Sequence, residues 1–278
     1  MEAAPLYNDV AEGPESGAGY WLTCSDGLRI RVGVWPEGTK GTVLIFPGRT
    51  EYVEKYGRAA VDLAARGFAS VAVDWRGQGI AARMLGDPRI GHVGRFTDYQ
   101  RDVAAVVEAV PKLDLPRPWY LIAHSMGGCI GLRAVMEGLD VAASAFSAPM
   151  WGVLMAPVLR PVAWTVSTVL PPIGLGNIRS PGTNYSVYVL DEPFEDNTLT
   201  NDRGMWDYMA RHLTRHPELS LGSPSIRWLN EALREMRSLA ARPAPKLPGI
   251  CFLGTNERIV DPRRIRSRMG GWPGAELI

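Results

Sequence analysis

Trp119-Tyr-Leu-Ile-Ala-His124-Ser125-Met126-Gly127-Gly128 is the stretch whose reading decides the fold. Tyr120 to Ala123 is an apolar run that reads as a buried strand, and Cys129 to Met136 carries the apolar spacing of a helix. A strand, a sharp turn and a helix with serine at the apex is the setting of the nucleophile elbow G-x-S-x-G, here with Ala123 in place of the first glycine. Small residues are needed on both sides because the turn presses strand against helix, leaving Ser125 strained and exposed. A glycine-rich turn that happens to contain a serine has the same letters; the strand–helix context favours the catalytic reading.

Outward from the elbow, the same alternation repeats. Tyr20–Cys24 and Leu28–Trp35 read as two strands joined by a hairpin at Ser25-Asp26-Gly27. Thr42–Phe46 is a short β-rich run, followed by helical spacing over Tyr52–Arg66 that stops at Gly67. Ala69–Val73 is a further buried strand, and Thr97–Val110 an amphipathic helix with Thr97 as its expected N-cap. Ala142–Ser147 and Gly249–Leu253 read as strands, Pro262–Met269 as a short arginine-rich helix, and Ala275 opens one last strand. Strands alternating with helices predict an α/β fold with a mostly parallel, doubly wound sheet. Residues 1–19, rich in Gly, Pro and Glu, are expected to form a loose arm.

Between Pro149 and about Arg242 the rhythm breaks into a Trp- and Pro-rich stretch without a buried strand. It predicts a helical cap over the carboxyl ends of the strands, where open α/β sheets place their sites. The expected division is residues 20–148 for the first part of the core, 149–242 for the cap, and 249–278 for an incomplete second part. Met150–Leu170 is apolar, but Arg160, Pro157 and Pro161 interrupt it and argue against a membrane span.

Composition narrows the function. The 278 residues carry a net charge of +1, which gives no basis for a nucleic-acid partner, and 46% hydrophobic content supports a large core. Cys24, Cys129 and Cys251 are far apart and odd in number, as expected of reduced thiols in a cytoplasmic setting. The beginning Met-Glu-Ala-Ala-Pro has no basic region followed by an apolar core, so no signal peptide is expected.

A serine nucleophile needs a base, and the base needs an orienting group. In this strand order the acid should follow a late strand, and two carboxylates do so, Glu257 and Asp261. Glu257, in the loop directly after the strand, is the favoured acid; Asp261, before a proline, suits an N-cap. The oxyanion hole needs two backbone N–H donors. Met126 supplies one, and the loop after Phe46 supplies the other; Pro47 cannot donate, Gly48 and Arg49 can, and Arg49 is chosen.

Taken together, Phe46-Pro-Gly-Arg-Thr-Glu-Tyr-Val-Glu-Lys-Tyr56, Asp74-Trp-Arg-Gly-Gln-Gly79, Asp87-Pro-Arg-Ile-Gly-His92, Ala123-His-Ser-Met-Gly-Gly128 and Phe194-Glu-Asp-Asn-Thr-Leu-Thr200 resemble the bacterial lysophospholipases. These are related to monoacylglycerol lipases in the α/β-hydrolase superfamily. The resemblance runs from about Tyr20 to the last residue. It implies ester hydrolysis on a lipid with one acyl chain, under an apolar cap and with no metal or organic cofactor, and its acid maps onto Glu257, where many relatives carry Asp. An apolar tunnel lined by Met150, Trp151, Leu154, Met155, Leu159 and Trp164 is expected in the cap. Peripheral contact of the cap with the inner membrane is the corresponding expectation for location.

The resemblance fails at the histidine. His124 adjoins Ser125 on a tight elbow and is expected beneath the turn, His92 lies in a surface loop, and His212 and His216 fall in the cap. A strand of about 5–6 residues starting at Ala275 would finish past Ile278. The family histidine is therefore expected roughly 5–15 residues further on, the chain being truncated before its base. Two classes follow: a serine ester hydrolase, with thioesterase or carboxylesterase as close alternatives, or a non-catalytic lipid-binding protein on the same fold.

Overall fold

The computed structural model describes residues 1–183 and 187–278. Among them, nine strands form one sheet in the order β1-β2-β3-β5-β4-β6-β7-β8-β9. β1 (Glu2–Ala4), β2 (Ala18–Thr23) and β3 (Arg29–Trp35) run antiparallel to their neighbours. β4 (Thr42–Phe46), β5 (Ala69–Asp74), β6 (Trp119–His124), β7 (Ser144–Ser147), β8 (Gly249–Phe252) and β9 (Ala275–Leu277) pair in parallel. Every residue of β4 and β5 is buried, because helices cover both faces of a parallel sheet. Alternation along β4 divides the core accordingly: Leu44 and Phe46 join one cluster, Val43 and Ile45 the other.

The helices that wrap the sheet are α2 (Gly57–Ala65), α3 (Tyr99–Ala109), α4 (Ser125–Met136) and α9 (Pro262–Gly270). Registers bring the carboxyl ends of β4, β6, β7 and β8 to one rim, with Phe46 opposite Ala123, Ala123 opposite Phe146, and Phe146 opposite Cys251. Loops following these strands therefore meet over a common edge. Between β7 and β8 the described residues form four helices, α5 (Leu159–Val169), α6 (Tyr188–Asp191), α7 (Arg203–Arg215) and α8 (Ile226–Ala240). This is the α/β-hydrolase architecture with an inserted helical cap. Among the described residues no helix is long and apolar enough to cross a membrane.

Three local expectations need correction. Residues 1–19 are not a loose arm: β1 pairs with β2, and α1 (Asn8–Ala11) buries Val10 and Ala11. Arg31 donates to the Pro5 carbonyl at 2.9 Å, and the Tyr7 N–H to Glu54 at 3.1 Å. The partners lie far along the chain, which is why composition alone did not show them. Thr97 is not the cap of α3; a 3₁₀ turn, Phe96–Asp98, precedes it, and Asp98 accepts the Arg95 N–H at 2.9 Å. The helix expected over Tyr52–Arg66 opens as a 3₁₀ turn, Val53–Tyr56, because its first groups are held from outside. Asp74 accepts the Val53 N–H at 2.8 Å, and Glu54 is forked onto Arg31.

The cap is fastened to the core by polar ties through otherwise apolar contacts. Arg133 on α4 forks onto Glu235 on α8, with Nη2 at 2.7 Å from Oε2. Trp228 donates its indole N–H to the Tyr99 hydroxyl at 3.1 Å. The loop at Gly91 exchanges backbone hydrogen bonds with Ser223 and Ser225 at 2.9 and 2.8 Å.

Candidate active site

Ser125 follows β6 and begins α4 with φ of 49°, the left-handed region that a side chain occupies only under constraint. The constraint comes from close packing behind the turn. A Cβ on Gly127 would lie 2.0 Å from the Phe46 carbonyl oxygen, and one on Gly128 would lie 2.6 Å from Pro149 Cβ. Ala123, at the other end of the motif, is fully buried and keeps its methyl. The Ser125 carbonyl accepts the Met150 N–H at 2.8 Å, so the start of the cap is anchored on the elbow itself.

The loop after β4 faces this turn. Its Gly48 N–H is taken by the Glu51 carboxylate, whereas no acceptor for the Arg49 N–H is found among the described residues. Met126 sits in the first turn of α4, where backbone N–H groups have no partner within the helix. The loop is held in place by Trp75, which donates to the Pro47 carbonyl at 3.0 Å, and by Gln78, which accepts the Thr50 N–H at 2.6 Å.

Glu51 was not singled out by the sequence reading, yet it organises the loop. Besides Gly48 it receives the Tyr56 hydroxyl at 2.6 Å and pairs with Lys55. Burial pushes its carboxyl up, but Lys55, His124 and the Tyr56 hydroxyl outweigh that and hold it at about 2. The i,i+4 spacing of Glu51 and Lys55 was the available signal. His124 lies beneath the turn, its Nδ1 3.0 Å from the Ser147 carbonyl and its Nε2 3.7 Å from Glu51.

The two candidate acids differ in how far they are committed. Asp261 is buried, caps α9 by accepting the Arg263 N–H at 3.0 Å, and pairs with Arg160 at 3.2 Å. Burial raises its pKa, and Arg263 with Arg160 brings it below the usual carboxylate value. Glu257 is half-buried and accepts the Ile259 and Val260 N–H groups through Oε1 alone, at 2.6 and 2.9 Å.

No hydrogen bond to the Ser125 hydroxyl is found among the described residues; His92, His124 and His216 are bonded elsewhere, and His212 is buried with neither ring nitrogen partnered among the described residues. His92 Nδ1 is 2.9 Å from the Ser225 hydroxyl; burial and the Arg227 charge bring its pKa down to about 4. His212 is buried edge-on against Tyr208, and burial likewise brings it down to about 4. His216 stacks on Tyr7 and meets Asp9 at 3.0 Å.

The six apolar residues expected to line a tunnel separate by environment. Met150 and Trp151 are buried; the Trp151 indole N–H donates to the Gly128 carbonyl at 3.0 Å and its ring packs on Phe146. Trp164 is half-buried against the core, while Leu159 is exposed. Leu154 and Met155 line an open cleft of about 500 Å³ with Ala156, Pro157, Arg160 and Arg263.

Sequence and structure comparisons agree with this geometry. Residues 37–274 match the family described as "Serine aminopeptidase, S33". "Lysophospholipase L2" of Escherichia coli K12 is 33% identical over 238 residues, covering 80% of this chain and 65% of the relative. The chain thus spans about 65% of the length of that curated relative. "Probable lysophospholipase L2" of Haemophilus influenzae is 26% identical over 253 residues, covering 89% of this chain and 78% of the relative. Among solved structures, a monoglyceride lipase from Saccharomyces cerevisiae superposes with a TM-score of 0.69 at 20% identity, covering 93% of this chain and 84% of that one. A carboxyl esterase from Bacillus coagulans gives 0.72 at 14% identity, covering 95% and 90%. The parallel sheet and the superpositions show the α/β-hydrolase fold, and the match over residues 37–274 establishes that the chain belongs to the serine aminopeptidase S33 family.

Proposed function

We propose that this protein is a serine ester hydrolase that cleaves the carboxylic ester of a lipid with one acyl chain, a lysophospholipid or a monoacylglycerol. The observation that carries the reading is the left-handed Ser125 at the strand–helix apex, facing a loop whose Arg49 N–H has no acceptor among the described residues. In this reading the Ser125 Oγ attacks the ester carbonyl while its proton passes to a base. The oxyanion is received by the Arg49 and Met126 N–H groups, the alcohol leaves with the proton, and water then hydrolyses the acyl-serine. Glu257, with Oε2 outside the turn it caps, would orient the imidazolium. The names of the curated relatives favour a lipid ester over a peptide, as do the exposed apolar residues of the cap.

None of the four histidines serves as the base in this reading, since His92, His124 and His216 are bonded at Ser225, Ser147 and Asp9, and His212 is fully buried against Tyr208. The same observation favours the second reading, a lipid-binding protein without turnover. Fatty-acid release from a lysophospholipid and a monoacylglycerol separates the two. The test compares the chain with its Ser125→Ala variant. Loss of a triad member costs about 10⁴–10⁶ in kcat, so release by the wild type that disappears in Ser125→Ala would carry the first reading. Binding without release in both would favour the second reading.

A cytoplasmic location with peripheral membrane contact fits the cap surface. Val158, Leu159, Val162, Val169 and Ile173 are exposed along and beyond α5, and Arg263, Arg264 and Arg266 are exposed on α9. Apolar side chains flanked by arginine are the composition that settles on an anionic bilayer. Co-sedimentation with anionic and zwitterionic vesicles tests it, and equal absence from both would remove the contact.

A further inference from the structure

The buried and half-buried arginines of this molecule fall into two kinds. Arg31 forks onto Glu54 and Asp74, Arg76 onto Asp102 and Asp26, and Arg133 onto Glu235 and Glu137. Each buried guanidinium thereby meets the carboxylate that offsets its desolvation. Arg83 has no carboxylate, but it spends its donors on the carbonyls of Gly77, Gly79, Glu218 and Ser220. Arg49 does neither. Its Nη2 donates to the Gly222 carbonyl, its guanidinium lies 5.4 Å from the centre of the Trp228 ring, and its Nε is buried without a partner. Among the described residues no carboxylate comes within ion-pair distance of it. Burial brings its pKa down to about 10, the direction expected of a cation without a counter-charge.

The place of this unbalanced charge matters. Arg49 is the residue whose backbone N–H is proposed for the oxyanion, so its side chain leaves the chain beside the ester being cleaved. It passes between the core loop and the cap so closely that a Cβ on Gly91 would stand 3.0 Å from Nη2. It ends on the first turn of α8, where the helix dipole adds to the positive field. Arg227, in the same turn, is half-buried and has no ion-pair or hydrogen-bond partner among the described residues. Its charge is felt at His92. The one acid of that stretch, Glu231, accepts the Phe96 N–H at 3.1 Å.

We propose that Arg49, with Arg227, is the recognition site for an anionic phosphate in the alcohol part of the substrate, which makes the preferred ester a lysophospholipid rather than a monoacylglycerol. This rests on the single-acyl-lipid reading above and narrows it. In a glycerophospholipid with one acyl chain the glycerol backbone separates ester from phosphate, and in this chain the Arg49 N–H and the Arg49 guanidinium are two donor groups of one residue. The Nε donor left without a partner matches a phosphate oxygen.

The test is binding, so it does not depend on turnover. Two non-cleavable ligands are compared by calorimetry and by the fluorescence of Trp228 and its neighbours: an O-alkyl glycerol phosphate and the matching O-alkyl glycerol, both below their micelle concentrations. The wild-type chain should bind the phosphate ligand at least about tenfold more tightly, the minimum that charge-assisted hydrogen bonds contribute. Arg49→Gln should abolish that preference, and Arg227→Gln should reduce it. The thermal midpoint of Arg49→Gln should be unchanged or raised, since a buried charge without a carboxylate is removed. Equal affinity of the wild type for both ligands, or a preference that survives both substitutions, would overturn the proposal and leave the lipid reading standing. A lowered midpoint with the preference intact would make Arg49 a fastener of the cap, and would overturn it too. Binding of neither ligand would overturn the lipid reading and this proposal together.

Discussion

The Glu51 carboxylate turns back to accept the N–H of Gly48, three residues earlier, and so removes one of the two candidate donors from the loop beside Ser125. The Arg49 N–H, by contrast, has no acceptor among the described residues. A carboxylate that is buried and still ionised is costly unless several donors meet it, and here Lys55, Tyr56 and Gly48 do so. Its role is to shape the loop, and its charge leaves a trace in the pH dependence of stability.

That trace is predicted as follows. Glu51 is held at about 2 in the fold against 4.5 for the ordinary group, so its stabilisation is present above about pH 4.5 and is lost as pH falls toward 2. A depression of this size corresponds to at most about 3 kcal/mol. His92 and His212 act at higher pH. Both are brought down to about 4 from 6.5, so the unfolded chain binds their protons first and stability declines between pH 6.5 and 4. Denaturant unfolding from pH 7 to 2.5 should show the two windows in sequence. Glu51→Gln should flatten the lower one and His212→Phe the upper one, and an unchanged profile in both variants would refute the assignment.

Gly127→Ala should abolish any Ser125-dependent chemistry. Its Cβ would stand 2.0 Å from the Phe46 carbonyl oxygen, a backbone atom that cannot move aside without shifting β4. The overpacking should cost about 1–3 kcal/mol or more. Ala123→Gly, the change toward the usual motif, should retain the reactivity of Ser125 and lose about 1 kcal/mol at most. Labelling of Ser125 by a fluorophosphonate reads both, with thermal unfolding as the control.

Trp151 and Leu159 should part company on mutation. Trp151 is buried against Phe146 and Trp272, so Trp151→Ala should cost about 3–5 kcal/mol and affect short and long esters alike. Leu159 is 54% exposed, so Leu159→Ser should leave the thermal midpoint within about 0.5 kcal/mol of wild type while weakening binding of long-chain ligands or vesicles. A large loss of stability in Leu159→Ser would mean that it packs rather than binds.

The Arg133–Glu235 fork joins α4 to α8 in a buried setting. Glu235→Gln alone should cost about 3–5 kcal/mol, because it leaves a buried guanidinium without its counter-charge. Arg133→Met combined with Glu235→Leu should cost far less than the sum of the two single changes. Denaturant midpoints of the four proteins in the cycle check this.

How much of this was legible in the sequence depends on how local the information is. β4 was read at its observed bounds, and the elbow was recognised with Ala123 in the glycine position, because strand periodicity and turn chemistry are carried by neighbouring residues. Asp261 was likewise readable as an N-cap from the proline that follows it. The order of the N-terminal segment was not, since its partners Arg31, Glu54 and Tyr208 lie between 26 and 197 positions away. The unbalanced charge of Arg49 was invisible for the same reason: only the fold shows which carboxylates are absent from its surroundings. Trp151 was expected at the lipid and is found in the core, where its indole N–H meets a carbonyl of α4 that periodicity does not reveal.

The N-terminal segment touches both bodies of the molecule, and this bears on how a lipid enters. Its Pro5 and Tyr7 are bonded to the core through Arg31 and Glu54, and its far end is bonded to α7. There the Tyr208 hydroxyl donates to the Ala11 carbonyl at 2.6 Å, Glu12 pairs with Arg211, and Asp9 with His216. It acts as a buckle, and α7 cannot swing away from the sheet unless it is undone. α5 has no such fastening: it is joined to α8 by Asn230 at Ser167, and to the loop before α9 by Arg160 at Asp261. The cap therefore has a fixed jaw and a lighter one, and the exposed valines and leucines stand on the lighter, α5 side.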